Sequence, residues 1–219
     1  MCFSAPVSFI AGTVLVGIGA VATYRAPRKR EWAYALIPLL FGLQQLLEGL
    51  LWMTFLEPAA ALHLNWRDPL TQVYSVFSQV LWPVYIPVAV LLLETVPWRK
   101  KAIAVIALAG ASVSLFLLFY LAHRSVVSQV QESHIAYVFP HFHEFFATGL
   151  YLLGACASPL LSSHATVRWF GLAITAALWA TYLFYFSWFI SVWCFFSALI
   201  SALVLLHFPV GHKLGKKLG

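Results

Sequence analysis

One carboxylate stands inside an otherwise apolar run. It is Glu48, in the segment Phe41-Gly-Leu-Gln-Gln-Leu-Leu-Glu-Gly-Leu-Leu-Trp52. An ionisable side chain in such a run is costly, and by default marks a functional site. A carboxyl there can carry a proton, bind a metal or act as a general base. It can also be a structural group hydrogen-bonded to neighbouring Gln and Tyr side chains. A second group of chemistry-bearing residues follows Pro140: His141, His143 and Glu144, with His134 seven residues before His141. Imidazoles suit zinc, copper and iron. A His-x-His pair puts both rings on one ion only where the backbone is irregular or extended, because residues two apart on a helix diverge. Cys2 and Cys194 complete the set. Their thiols can ligate a metal, or pair with each other on an oxidising side of a membrane. Were Met1 removed, Cys2 would also offer a free amine and a nucleophilic thiol.

These residues have to be held by membrane helices. Of 219 residues, 62% are hydrophobic and only 9% charged, whereas a soluble domain carries about 25% charged residues to solvate its surface. Sixteen per cent aromatic residues, nine of them Trp, suit two membrane interfaces. The formal charge of +6 is gathered in short clusters between apolar spans, as topology determinants are. With no helix-turn-helix, zinc-finger or RNP pattern, nucleic acid is not expected as a partner. The opening residues lack a basic n-region, so the first apolar span is expected to remain as a helix.

A span needs about 20 mainly apolar residues. Segments of that kind run over about 7–24, 32–56, 70–93, 102–122 and 142–161. The last apolar stretch, 169–208, is too long for one crossing and is expected to turn near Tyr185-Phe186-Ser187-Trp188. The expected fold is therefore all-α: a single domain over 1–219, built as a bundle of seven transmembrane helices. Lys and Arg set its orientation. With the N-terminus outside and the C-terminus cytoplasmic, Arg25, Arg28, Lys29, Arg30, Arg99, Lys100, Lys101, Arg168, Lys213, Lys216 and Lys217 lie inside, and only Arg67 and Arg124 outside. A bacterial inner membrane is the expected location.

In that topology the polar residues gather in the outer half. Gln44, Glu48 and Trp52 share one face of the second helix by their spacing of four, and Gln72, Ser75 and Gln79 share a face of the third. Glu48 sits about 12 Å below the outer end of its helix. Gln45 precedes Glu48 on the second helix, and the sixth helix ends on the outer side with Thr181, Tyr182 and Tyr185. Pro83 is expected to kink the third helix, and Cys156 reads as structural. His164, His207 and His212 fall at the opposite end.

Several segments together resemble a family of small bacterial integral membrane proteins of unknown function: Met-Cys-Phe-Ser-Ala at the start, 41–52, Ser133-His-Ile-Ala-Tyr137, and Ser191-Val-Trp-Cys-Phe-Phe196. The resemblance covers the chain in order. It implies that Cys2, Gln45, Glu48, His134 and Cys194 belong to the family pattern, and implies no activity. Seven-helix zinc hydrolases of the ceramidase or adiponectin-receptor type carry a His-x-x-x-His pair in helix seven; Cys194 and a distant His207 stand here instead. A retinal Lys is absent from that helix.

The leading expectation is an outward-facing polar site that binds a transition-metal ion (zinc, copper or iron) through Cys2, His134, His141, His143 and Cys194. Gln44, Gln45, Gln79, Glu144 and Tyr182 line it, and Glu48 is a candidate base for metal-assisted hydrolysis. One alternative is a proton-coupled transporter or small-ligand receptor centred on Glu48. Another is a thiol redox protein using Cys2 and Cys194. The lipid bilayer is an expected partner in each case.

Overall fold

The computed structural model describes residues 4–56, 61–131, 134–138 and 145–209. Cys2, His141, His143 and Glu144 lie outside the described residues.

Glycine permits the first helix pair to meet closely. Helix α1 (Ala5–Arg25) crosses α3 (Ile37–Leu56). A Cβ on Gly12 would meet the Gly42 carbonyl at 2.9 Å, and one on Gly42 would meet the Gly12 carbonyl at 2.8 Å. Such small-residue contacts let membrane helices pack without large apolar side chains between them. Gly17, by contrast, faces open space. A 3-10 turn (Lys29–Glu31) and the short α2 (Trp32–Ala35) precede α3. The break at Leu36 falls two residues before Pro38, which cannot donate to the preceding turn.

The third span starts as α4 (Ala61–Ser75), loosens into a π turn (Val76–Leu81) and resumes as α5 (Trp82–Leu93). Pro83 therefore lies just past a π turn. The carbonyls there are taken by hydroxyls from neighbouring helices: Tyr151 donates to Ser78 O (2.6 Å) and Ser114 to Val80 O (2.7 Å). Pro87 lacks the N–H that would bond Pro83 O in a regular helix. Gly110 and Gly154 both approach that carbonyl, and a Cβ on either would collide with it.

Helix α6 (Pro97–His123) is followed by a structure the sequence reading missed. Strands β1 (Val127–Gln131) and β2 (His134–Val138) pair antiparallel, with Gln131 opposite His134. The fold is thus mostly helical but not all-α. Next come α7 (Phe145–Leu152), a second π turn (Leu153–Ala157) and α8 (Ser158–Leu160). Then follow α9 (Ala165–Phe184), a 3-10 turn (Phe186–Trp188), α10 (Phe189–Ser201) and a final 3-10 segment (Ala202–His207). The turn falls where the aromatic patch placed it.

Among the described residues, six helical stretches are long and apolar enough to cross a membrane: Ala5–Arg25, Lys29–Phe55, Trp66–Leu93, Pro97–His123, Ala165–Phe184 and Phe186–His207. A shorter apolar helix, Ala147–Leu160, packs among them. The outer surface carries Ile10, Val105, Leu108, Leu115 and Leu183, each about two-thirds exposed or more. An apolar surface so extensive requires lipid rather than water as its solvent. This is the architecture of a multi-pass membrane protein.

The bundle has two distinct ends. At the hairpin end, Ala5, Leu51, Trp52 and Ile135 form one cluster, and Leu121, Val126, Ile190 and Cys194 another. At the opposite, arginine-rich end, Arg99 donates to Leu161 O and Ser162 O (both 2.9 Å), and Arg168 donates to Ser162 O and Ser163 O. Glu94 closes that end. Its carboxylate accepts from the backbone N–H of Thr95, Val96 and Ser163 and from Ser163 Oγ, at 2.7 to 2.9 Å.

Candidate functional site

The centre of the hairpin half is the carboxyl of Glu48, which is buried. Ser191 Oγ, from α10, donates to Glu48 Oε1 at 2.7 Å. Gln45, one helical turn earlier on α3, donates through Nε2 to Glu48 Oε2 at 3.2 Å. Tyr74 from α4 and Tyr137 from β2 stack at 4.6 Å and 8° between ring planes, and both face the same carboxyl. Every one of these groups is uncharged in its ordinary state. Among the described residues the one ion pair is Arg28–Glu31 at the other end of the bundle, so Glu48 has no described cationic partner.

Gln44 extends the network toward the core. Trp82 Nε1 donates to Gln44 Oε1 at 2.7 Å, and the Trp82 ring stacks on Phe41 at 3.7 Å. The Cys194 thiol is buried and lies against Gln44, Tyr74 and Glu48. Ser191 and Cys194 are three apart on α10, which puts both on the face that meets α3. Gln45 Oε1 and Gln79 Nε2 are buried with no hydrogen-bond partner among the described residues. A buried amide atom left in that state costs about 1–3 kcal/mol.

The hairpin roofs this network. Strand alternation sends Ile135 and Tyr137 to one face, where Ile135 packs on Ala5, Leu51 and Trp52, and Tyr137 reaches the carboxyl. His134 is buried and stacks on Trp188 at 4.5 Å, with Tyr185 at 6.0 Å. The roof is anchored to α4. Thr71 and Ser128 share a hydroxyl hydrogen bond (2.7 Å), while Gln72 donates to Leu121 O (2.5 Å) and accepts from Val126 N (3.3 Å). Gln72 is thus a clamp on the entry to the hairpin, whereas Gln79 lies within the π turn.

Of the residues singled out by sequence, Gln44, Gln45, Glu48 and Cys194 come together. His134 stands on the roof beside Trp188. Tyr182 does not line the site: it is half exposed, packed edge-on to Trp179 and Phe186. Among the described residues, no three His, Cys, Asp or Glu side chains converge as a metal site would require. Ser191, Tyr74 and Tyr137 were missed as site residues. Three Val and an Ile in Val127–Val138 were the available signal for strands, and the pairing of those strands brings Tyr137 to the carboxyl.

A multi-helix membrane protein with a roofed, buried carboxyl is the class that fold and site define. The chain matches the family described as Family of unknown function (DUF6629) over residues 1–216, and belongs to it. No curated protein and no solved structure matches the chain.

Proposed function

We propose that this is a seven-span membrane protein, N-terminus outside and C-terminus cytoplasmic, in which Glu48 takes up and releases a proton in step with a small polar ligand, as in a proton-coupled transporter or receptor. The observation that carries the reading is a buried carboxyl ringed by neutral donors, with no described cation beside it. An isolated buried carboxylate is far too costly to persist. Such a site requires a proton or another cation, and exchanging that cation changes what the neutral ring must solvate. Gln45, which donates to Glu48, keeps an unsatisfied amide oxygen for a polar ligand. The seventh span in this reading is the short helix. Its residues 147–160 give about 21 Å at 1.5 Å per residue, less than the hydrocarbon thickness, and flanking residues make up the remainder. The lysine and arginine asymmetry gives the orientation, in the inner membrane of a bacterium.

Reconstitution tests the coupling. Liposomes holding the protein and an internal pH indicator are given an imposed pH gradient. Faster internal acidification with the wild type than with Glu48→Gln supports proton movement across the membrane through this residue, and equal rates contradict that movement and leave the receptor form of the reading.

A metal reading rests on one observation, the Cys194 thiol beside Glu48. Zinc, copper or iron would then draw its remaining ligands from Cys2, His141 and His143. Ala5, three residues after Cys2, packs on Ile135 of the roof. Metal content of the purified protein, wild type beside Cys194→Ser, separates the readings: near-stoichiometric metal lost in the variant replaces the proton by a metal ion.

A further inference from the structure

Away from Glu48, the arginine-rich end holds a polar cavity of about 310 Å³. Arg28 and Arg30 reach it from the α1–α2 connection, Thr95 from the loop after α5, His164 from the start of α9, and His207 from the last helical turn. Glu31 also lines it, but its carboxylate is held by Arg28 (Nε to Oε1, 2.8 Å), which leaves Arg30 as uncompensated charge and the outer guanidinium N–H groups of Arg28 as donors. The 20-residue helix α9 begins at Ala165 with no side-chain cap on its free N–H groups. His164, its N-cap residue, lines the cavity, so the positive end of that helix dipole adds to the field. The chemistry of the lining therefore fits a single phosphate.

A second cavity adjoins it. On the outer face of α9 and the final turn lies an apolar groove of about 530 Å³, lined by Thr166, Trp169, Leu172, Ala173, Leu203 and Leu206. Thr166 of the groove and His207 of the polar cavity share a hydrogen bond, Oγ1 to Nδ1 at 2.7 Å. Trp169, Leu172 and Leu206 are half exposed or more, so the groove opens sideways, as a path for an acyl chain would. Basic cavities at the cytoplasmic ends of membrane helices suit anionic lipid headgroups.

We infer that this pair of cavities is a binding site for one anionic phospholipid, its phosphate held by Arg28, Arg30 and the α9 N-terminus and one acyl chain laid in the groove. The site is independent of Glu48, and requires only that this end lie at a membrane interface.

The test uses the full chain, stripped of lipid in detergent. Short-chain phosphatidylglycerol, phosphatidylcholine and inorganic phosphate are titrated separately, with binding read by native mass spectrometry and by the thermal unfolding midpoint. Phosphatidylglycerol is expected to bind and to raise the midpoint more than phosphatidylcholine does. The Arg28→Gln/Arg30→Gln variant should bind it about tenfold more weakly, equivalent to about 1.4 kcal/mol. Leu203→Trp, which fills the groove without touching the charges, should weaken it too. Equal binding of the two lipids, unchanged affinity in both variants, or protection by inorganic phosphate alone would each overturn the assignment.

Discussion

Glu48→Gln changes one atom and keeps the shape of the side chain. Its amide oxygen still accepts from Ser191, and a turned-over Gln45 amide can accept from the new N–H through its unpartnered Oε1, so the fold should lose about 1 kcal/mol or less, while proton binding at the site is abolished. Glu48→Ala is different in kind. It leaves Ser191 Oγ and Gln45 Nε2 without their acceptor and opens a cavity, and should cost about 2–4 kcal/mol. Thermal unfolding in detergent checks both, and a Glu48→Gln variant as unstable as Glu48→Ala would show that the charge itself holds the bundle. Glu48 and its two glutamines were legible because a polar group in an apolar run is conspicuous whatever the fold. Their partners were not. Ser191 and Tyr74 are types that also occur as ordinary membrane-helix residues, and only the packing of α10 and α4 on α3 shows that they converge. Glu94 was missed for another reason: three of its four donors are backbone N–H groups, which no side-chain pattern reports.

Among the elements, the tightest crossing is the one around Pro83. Two glycines on different helices meet one carbonyl that Pro87 has left without its helical donor. Gly110→Ala and Gly154→Ala should each destabilise the protein by about 1–3 kcal/mol through overpacking against a backbone that cannot give way. Gly17→Ala, facing open space, is the control and should be neutral or slightly stabilising. Lowered midpoints for the first two and an unchanged one for the third are the expected result in thermal unfolding. The proline was visible in sequence and a kink was the natural expectation. The π turn that precedes it depends on which neighbouring hydroxyls can take up displaced carbonyls, and that is a property of the assembled bundle. The hairpin escaped notice because a long loop in a membrane protein reads as irregular chain, and its apolar residues, Val127, Val130, Ile135, Ala136 and Val138, do not alternate cleanly with polar ones.

At the scale of the whole molecule, the apolar spans were readable from composition alone, since lipid imposes one length and one chemistry on every crossing. How the ends are locked was not. Glu94 joins the loop after α5 to the loop before α9. Burial pushes its carboxyl up, but the hydrogen bonds from Val96, Ser163 and Thr95 outweigh this and hold it down at about 2, against an ordinary 4.5. A carboxylate depressed in the folded state stabilises the fold above its unfolded value. That contribution is full above about pH 4.5 and is lost as pH falls toward 2. Glu94→Gln should therefore be less stable than wild type at neutral pH and converge with it under acid. A gap that stays constant down to pH 2 would contradict the lock.

The most direct test of Glu48 as a proton site is infrared difference spectroscopy of the purified protein during a pH titration, with wild type beside Glu48→Gln. Above the acid range in which ordinary carboxyls titrate, the carbonyl stretch of a protonated carboxyl should be present in wild type, disappear on further titration with a matching carboxylate band, and be missing from Glu48→Gln. A Glu48 carboxylate signal that persists unchanged across the titration would show that the balancing charge is a fixed cation, and the proton-coupled reading would fall.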